Sequence, residues 1–360
     1  MSRTQRPVLP ENPLACLTGA RFSIRGCRIG TRGAQALLAH PRLGPYIAQA
    51  TDLDLMGNRI GDEGLAALAG SAIAPGLTSL NLSDCALTSQ AVALLDAFPK
   101  LTTLDLSDND LDPAGAGALA ETVVAPSLTE LDLSGNPIGS EGLGHLRRHL
   151  RADHLRLTDT ALDPTLGAGP AQGLSPAGSL SVAGNNLGKA GAQALVAWGA
   201  RPMQLSLQYA NLDDAAFKIL AAAGVLERSL YADLRGNSLT ILAIQGVAWR
   251  DNANVKLGSR MLDWDDFKAL KLAYPKVRFS LDAITEGEVL TCPYCMLVHD
   301  LSQLRCPHCA GDLTRDASTE EPAEYEPVLA EVCVHCDAGV PSRVMRCGSC
   351  QSWTPRVAVR

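Results

Sequence analysis

The chain of 360 residues has few aromatic residues, no excess of positive charge and no long apolar run. Aromatic residues make up only 4% of a sequence that is 46% hydrophobic, so we expect a core of leucine, alanine, valine and isoleucine. The net charge of −7 disfavours non-specific binding to nucleic acid or to an anionic membrane, since both need a basic surface. No apolar run approaches the roughly 20 residues that a transmembrane helix needs.

The N-terminal residues lack the apolar stretch of a secretory signal. Arg3 and Arg6 are followed by proline, glutamate and asparagine. We therefore expect a cytoplasmic protein, in which disulfide bonds are disfavoured. The abundance of alanine and glycine is typical of a bacterium with a GC-rich genome.

One phrase recurs three times between residues 77 and 138. It reads L-T-S-L-N-L-S-D-C-A-L from Leu77, L-T-T-L-D-L-S-D-N-D-L from Leu101 and L-T-E-L-D-L-S-G-N-P-I from Leu128. Weaker copies extend the series to about ten, and such self-similarity at a period in the twenties predicts a solenoid. We call the position that holds asparagine in the strongest copies the Asn slot. Its occupants are Cys27, Asn58, Cys85, Asn109, Asn136, Thr160, Asn185, Ala210, Asn237 and Arg260.

These motifs resemble the leucine-rich repeat family, and in particular the subclass typified by ribonuclease inhibitor. The resemblance implies an α/β horseshoe solenoid with a parallel sheet on the concave side and helices on the convex side. Within each repeat, L-x-L predicts a short strand whose leucines point inward. A buried Asn or Cys in the slot can hydrogen-bond the backbone of adjacent turns. We expect Thr160 to do part of this and expect local irregularity at Ala210 and Arg260.

The repeats also predict how the chain is divided before the cysteine-rich end. Openings of the form G-x-x-G, such as Gly61 to Gly64, lead into apolar-periodic stretches that predict short helices. Residues 163–179 are rich in glycine and proline, so we expect a loop in place of a helix there. We assign 1–20 to an N-terminal cap and 21–283 to the solenoid, with a last strand within 274–281 that closes the stack.

Eight of the eleven cysteines lie after Leu290, as four C-x-x-C pairs. These pairs are Cys292/Cys295, Cys306/Cys309, Cys333/Cys336 and Cys347/Cys350. They form two units of identical internal spacing, C-x2-C-x10-C-x2-C, one beginning at Cys292 and the other at Cys333. Two such pairs supply the tetrahedral set of four thiolates that zinc prefers, so we expect two Zn²⁺ ions per chain.

This segment resembles the double zinc ribbon and rubredoxin-like modules. The resemblance implies one ribbon at 284–312, an acidic linker at 313–331 and a second ribbon at 332–360. Iron in a rubredoxin-like site is an alternative to zinc. A cross-braced arrangement, in which the first pair joins the third and the second joins the fourth, is an alternative to consecutive ribbons. Because each four-cysteine set is complete, His299, His308 and His335 are not needed as ligands.

No pair of nucleophile and base and no phosphate-binding loop stands out, so the sequence predicts a non-enzymatic scaffold that binds a protein partner. The ribbons would cap the solenoid or add a second contact site. Met56, Tyr209 and Trp249 are apolar candidates for contact residues. The main candidates for partner binding are Asp54, Asn81, Asp105, Asp132, Arg156, Tyr231, Asp233 and Trp353.

Two other functions remain open at this point. The second ribbon could bind nucleic acid, because Arg343, Arg346, Arg356 and Arg360 accompany Trp353, on which a base can stack. Net negative charge from residue 286 onward weighs against it. Alternatively, a cross-braced metal module would make the protein an accessory of a ubiquitin-like conjugation system.

Overall fold

The computed structural model describes residues 17–18, 20–40, 44–165, 174, 176–258 and 264–281, and four two-residue strands at 290–291, 298–299, 331–332 and 339–340. By its contacts the chain divides into two compact units, one of Met1–Val289 with Asp300–Ser302 and one of Leu290–His299 with Gln303–Arg360.

Several sequence predictions fall outside the described residues, so the structure does not test them. Trp353 and Arg260 are among these positions. So is every cysteine predicted as a metal ligand, namely Cys292, Cys295, Cys306, Cys309, Cys333, Cys336, Cys347 and Cys350.

The larger unit contains a sheet of twelve strands that follow one another in chain order. The first strand runs antiparallel to the second, and all later neighbours are parallel, as the repeat pattern predicts. The strands are β1 Leu17–Thr18, β2 Arg21–Ser23, β3 Asp52–Asp54, β4 Ser79–Asn81, β5 Thr103–Asp105, β6 Glu130–Asp132, β7 His154–Arg156, β8 Ser179–Ser181, β9 Gln204–Ser206, β10 Tyr231–Asp233, β11 Asn254–Leu257 and β12 Arg278–Leu281.

A single row of apolar residues crosses the parallel part of the sheet and is at most 3% exposed. Its members, in register from β2 to β12, are Phe22, Leu53, Leu80, Leu104, Leu131, Leu155, Leu180, Leu205, Ala232, Val255 and Phe279. Successive residues of a strand point to opposite faces. Burial of this row therefore leaves the residues on either side of it on the other face, which we call the open face.

Helices alternate with the parallel strands. They are α1 Gly30–Leu38, α2 Gly44–Ile47, α3 Gly61–Ala69, α4 Pro113–Glu121, α5 Gly139–His149, α6 Gly188–Trp198, α7 Asp214–Ala222, α8 Ile241–Gln245 and α9 Trp264–Ala273. The segments Ala74–Gly76, Ser89–Ala97 and Ala125–Ser127 are 3-10 helices. Between β7 and β8 the described residues form no helix, and residues 166–173 and 175 of the predicted loop lie outside them. Within the described part of the chain, no helix is long and apolar enough to cross a membrane.

The G-x-x-G openings use their two glycines for different reasons. Gly61 has φ +65°, a conformation that side chains with a Cβ rarely adopt. Gly64 has an ordinary φ, but a Cβ there would lie 2.6 Å from Cβ of Ile60, closer than real contacts allow. The first glycine therefore permits the turn, and the second permits the helix to begin tightly against the preceding isoleucine.

The Asn slot connects each repeat to the one before it. Nδ2 of Asn185 donates to the carbonyl of Leu157 in the preceding repeat at 2.7 Å and to that of Val182 at 3.0 Å. Its Oδ1 accepts from the backbone N–H groups of Thr160 at 3.2 Å and Leu162 at 2.9 Å. One buried amide thus satisfies backbone groups that would otherwise be left unpaired in the core.

Two other side chains do part of the same work. Sγ of Cys85 lies 3.2 Å from the carbonyl of Leu55, and burial raises the pKa of this thiol to about 11, so it remains a donor. Oγ1 of Thr160 donates to the carbonyl of Leu157 at 2.8 Å, within its own repeat, so Thr160 makes one of the bonds of an asparagine but not the bond to the preceding repeat.

The irregularity expected at Ala210 is wrong. Strands β9 and β10 keep the register of the rest of the sheet on both sides of this turn. The reason is that the amide of each slot asparagine bonds to the preceding repeat. Oδ1 of Asn237 accepts from the N–H groups of Ala210 at 3.2 Å and Leu212 at 3.0 Å. Ala210 therefore has its backbone N–H paired by the next repeat, although its own side chain makes no hydrogen bond.

Both ends of the sheet depart from the repeat pattern. At the start, β1 adds an antiparallel strand within the predicted cap. At the other end, β12 confirms the predicted last strand, and its Phe279 meets Trp249 and Tyr274 edge to face, with ring centroids 6.2 and 6.0 Å away. These aromatic rings pack against one another at the last strand of the sheet.

The smaller unit contains two antiparallel strand pairs. β13 Leu290–Thr291 pairs with β14 Val298–His299, and β15 Glu331–Val332 pairs with β16 Gly339–Val340. The second pair follows the first at the same offset along the chain as the second cysteine unit follows the first. In each case the stretch of sequence between the two strands begins with the first C-x-x-C of a unit.

Candidate functional site: the open face of the sheet

The open face brings most of the predicted partner-binding residues into one row. Register places the following residues next to one another, from β3 to β11: Asp54, Asn81, Asp105, Asp132, Arg156, Ser181, Ser206, Asp233 and Lys256. Tyr231 lies two residues before Asp233 on the same face, and Trp353 lies outside the described residues. The alternation of side chains along each strand is enough to place these residues on the same face.

The acids of this row also have a local structural role. Oδ1 of Asp105 accepts from the backbone N–H of Ser107 at 3.0 Å, and Oδ1 of Asp132 accepts from that of Ser134 at 2.9 Å. The neutral amide of Asn81 makes the equivalent bond at 3.0 Å to the N–H of Ser83. A neutral amide therefore makes this turn hydrogen bond as well as a carboxylate does, so the bond does not need a charge.

Asp54 is completely buried, and the side chains of two arginines pair with its carboxylate. Its Oδ2 accepts from Nη2 of Arg21 at 2.9 Å, from Nε of Arg25 and from Oγ of Ser23 at 3.3 Å. Both arginines are exposed here, with 48% of the Arg21 side chain and 55% of the Arg25 side chain accessible. A partner at this end of the face would meet arginine rather than the predicted aspartate.

Asp233 is buried in the same way near the other end of the row. Arg235 donates to it through Nε at 2.9 Å and Nη2 at 2.8 Å, and Gln208 and the hydroxyl of Tyr231 also donate to Oδ2. Burial alone would raise the pKa of Asp233, but the hydrogen bonds from Arg235 and Gln208 and the arginine charge outweigh it and lower that pKa. Asp54 and Asp233 thus hold the face together and are not themselves exposed.

The first half of the open face contains a groove of about 200 Å³. Its lining residues come from strands β2 to β7, and the charged ones are Arg21, Asp52, Asp105, Glu130, Asp132 and Arg156. Four acids against two arginines leave two negative charges in excess. Arg156 lies 3.5 Å from Asp132 and Arg21 lies 3.8 Å from Asp52, whereas no ion pair involves Asp105 or Glu130 within the described residues.

The environment of Asp105 disfavours its charge. Burial raises the pKa of Asp105, and the neighbouring Asp132 adds to that rise, while hydrogen bonds from Ser107 oppose it. The nearest amide donor is Nδ2 of Asn81, 3.1 Å from Oδ2. The charge of Arg156 also attracts Asp105 and opposes the rise in pKa, but the two residues form no ion pair within the described part of the chain. Asp105 is therefore a partly buried carboxylate that receives hydrogen bonds but no direct cationic partner.

One exposed aromatic residue stands in a strained turn at the edge of the face. The residue before the Asn slot has a positive φ in nine successive turns, and eight of these hold glycine or aspartate. The ninth is Tyr209, with φ +50° and 66% of the residue exposed. Bulky residues rarely adopt this conformation. Its ring lies over Gly236, where an added Cβ would come within 2.2 Å of it.

The sequence alone did not lead to the arginines that pair with the buried aspartates of the open face. Arg25 and Arg235 lie two residues beyond the predicted row, as does Gln208, and Arg21 and Glu130 lie two residues before it. These residues follow the same alternation of period two that identified the row, so the sequence could have placed them on this face.

The predicted metal sites lie elsewhere in the chain and stay predictions. Among the described residues, no group of three or more His, Cys, Asp or Glu is arranged to hold a metal ion. That search does not reach the two predicted ligand sets, which are Cys292, Cys295, Cys306 and Cys309 in the first unit and Cys333, Cys336, Cys347 and Cys350 in the second.

Comparison with known proteins agrees with the strand and helix period. Residues 51–69, 99–120, 124–146 and 179–196 match the family model described as Leucine Rich repeat. Each of these stretches contains one strand and most or all of the α-helix that follows it. The match and the architecture together identify leucine-rich repeats in this chain.

Other comparisons are more distant. No curated protein matches the chain. A similar solved structure is the LRR ectodomain of the plant membrane receptor kinase GASSHO1/SCHENGEN3 from Arabidopsis thaliana, in complex with CASPARIAN STRIP INTEGRITY FACTOR 2. The identity is 14%, the match covers 65% of this chain and 41% of that chain, and the TM-score is 0.21. The match thus spans less than half of that ectodomain.

Proposed function

We propose that this protein is a non-enzymatic scaffold that binds a protein partner on the open face of its repeat sheet. Leucine-rich repeat domains commonly mediate protein–protein interaction, since stacked repeats offer an extended surface. We also assign the repeats to the ribonuclease-inhibitor-like subclass, because α-helices of nine to eleven residues follow most of the strands.

The observation that carries this proposal is the continuity of the open face. Ten residues in register, from Ser23 on β2 to Lys256 on β11, present side chains on the same side of adjacent parallel strands. Several of these side chains are small, such as Ser181 and Ser206, so backbone and side chains of a partner can approach closely. Arginines at both ends supply the hydrogen-bond donors typical of interface hot spots.

The test is to block the face without removing any bond. The side chain of Ser206 is partly exposed, and Ser206→Arg adds bulk and charge in the second half of the row. Ala190→Arg makes a similar change on the exposed side of helix α6 and serves as the matched control. We expect the full-length chain and Ala190→Arg to recover the same protein from the native host, and Ser206→Arg to lose it. Equal recovery by all three would place the contact elsewhere.

We further propose that the C-terminal segment holds two structural zinc ions in a cytoplasmic, reducing setting. The residues proposed to bind them are the eight cysteines of the four C-x-x-C pairs, in two sets of four. The support from the described residues is that an antiparallel strand pair flanks the first C-x-x-C of each unit at the same spacing, as in a hairpin that carries a metal knuckle. Measurement of zinc and iron in the purified full-length chain tests this directly, with two zinc ions expected.

A further inference from the structure

The charge of the groove on β2 to β7 needs an explanation beyond the fold. At the row position that Asp105 and Asp132 occupy, Asn81 makes the same turn hydrogen bond without a charge, and Ser181 and Ser206 occupy it in later repeats. A neutral residue at this position is therefore compatible with the sheet. Retaining carboxylates there brings like charges together in a partly buried place, which is unfavourable in the free protein.

The same acidic character extends to the edge where these strands end. Asp84 and Asp108 occupy the positive-φ position of their turns and are exposed. Within the described residues Asp108 has no ion pair, and Asp84 has one, with Arg59 at 3.8 Å. Aspartate tolerates this backbone conformation, but so does glycine, which other turns use at the same position. The groove floor and its edge are thus both acidic where neutral residues would fold equally well.

The geometry points to a basic segment of the partner protein as the occupant of this groove. We propose that an extended stretch of the partner lies across the open face and places an arginine or lysine side chain between Asp105, Glu130 and Asp132. This inference rests on the proposed function and adds to it the chemistry of the partner.

Charge and size both support this occupant. The lining carries two negative charges in excess, and within the described residues Asp105 and Glu130 form no ion pair, although Arg156 attracts Asp105 from a longer distance. The groove of about 200 Å³ admits one long side chain. A guanidinium or ammonium there would make charge-assisted hydrogen bonds with carboxylates that are already oriented by Ser107 and Ser134.

The experiment measures binding of a fluorescent hexa-arginine peptide to the full-length chain by anisotropy, with hexa-glutamate as the negative probe. Asp105→Asn and Asp132→Asn keep the turn acceptor and remove the charge. Glu63→Gln, on the exposed part of helix α3, removes the same charge away from the face. We expect each groove variant to weaken peptide binding about tenfold and Glu63→Gln to leave it within about twofold.

Two outcomes would overturn the inference. One is absence of peptide binding at low ionic strength, and the other is equal weakening by Glu63→Gln and the groove variants, which would indicate attraction to the overall negative charge. The proposed function is judged separately. If the partner recovered from the host is lost with Ser206→Arg but retained with Asp105→Asn and Asp132→Asn, the open face is the binding surface and the basic occupant is wrong.

Discussion

Nδ2 of Asn136 donates to the carbonyl oxygen of Leu106 at 2.9 Å, across the boundary between two repeats. The same side chain donates to the carbonyl of Leu133 at 3.0 Å and accepts from the N–H of Leu111 at 3.1 Å, and it is completely buried. Every repeat of a solenoid contacts only its neighbours. Such amides are therefore part of the interface energy that makes neighbouring repeats fold together.

Asn136→Ala should destabilise the solenoid by about 3 kcal/mol, because it leaves several buried backbone groups without partners. The measurement is chemical unfolding followed by circular dichroism. Asn186→Ala is the control: Asn186 is exposed, and its side chain hydrogen-bonds the side chain of Asn211. We expect the control to cost less than about 0.5 kcal/mol. Similar losses for the two variants would contradict the proposed role of the slot.

The buried pair of Asp233 and Arg235 predicts a loss of stability in acid. Folding lowers the pKa of Asp233, so the stability it contributes is present above the unfolded value of about 3.9 and is lost as pH falls through the folded pKa. Asp233→Asn should therefore cost about 2 kcal/mol at pH 7, a figure kept low because the Arg235 side chain is 30% exposed.

The pH series distinguishes this prediction from a general packing defect. Thermal unfolding of the original chain and of Asp233→Asn should differ at neutral pH and converge toward low pH, where the aspartate itself is protonated. A difference that stays constant from neutral to strongly acidic pH would mean that the charge of Asp233 does not contribute to stability.

The stability associated with Asp105 should depend on pH in the opposite direction to that of Asp233. Folding raises the pKa of this carboxyl group, so the folded state holds its proton more tightly than the unfolded chain does. The associated stability is fully present below about pH 3.9 and is lost as pH rises through the folded pKa. Asp105→Asn should consequently raise the melting temperature at pH 7, and this gain should shrink on acidification. A lower melting temperature at pH 7 would show that the carboxylate stabilises the free protein.

The strained turn at Tyr209 predicts a second stabilising substitution. Asparagine tolerates positive φ, so Tyr209→Asn should relieve about 1 kcal/mol of backbone strain and raise the melting temperature by about 2 °C. The substitution removes little buried surface, because 66% of Tyr209 is accessible. Asp159→Asn, at the same turn position with φ +53°, should change nothing. A lower melting temperature for Tyr209→Asn would mean that contact of the ring with Gly236 outweighs the strain.

The sheet order and the open-face row could be predicted from sequence because each depends on a local period. L-x-L fixes which residues of a strand point inward, and a nearly constant repeat length fixes which strands are neighbours, so Asp105 and Asp132 could be placed side by side without coordinates. Which residues of the row are exposed depends on contacts between repeats. Arg25 pairs with Asp54 from the neighbouring repeat, 29 positions earlier in the chain, and no local pattern distinguishes that aspartate from Asp105.

The same limit explains the turn at Ala210. The composition of its own repeat suggested a defect, because alanine cannot form the hydrogen bonds of asparagine. The bond that matters comes from Asn237, one repeat later, and the direction in which the amides reach is a property of the stacked structure. An N–H group in one turn is therefore paired by the identity of a residue 27 positions away.

Paired cysteine substitutions can establish how the proposed C-terminal metal sites are connected. If the ribbons are consecutive, Cys292 and Cys306 serve one ion, so the double variant Cys292→Ser/Cys306→Ser should retain one zinc ion per chain. Cys292→Ser/Cys333→Ser should then lose both ions, because it removes a ligand from each set of four. A cross-braced module predicts the reverse for the two variants.

Zinc content measured on the purified full-length variants therefore distinguishes the two arrangements. We expect the consecutive one, because the two strand pairs repeat along the chain at the same offset as the two cysteine units. A repeat of strand pair and cysteine unit together is what two self-contained ribbons need, whereas a cross-braced module has no reason to keep each unit complete. Retention of both ions in the two variants alike would show that these cysteines are not ligands.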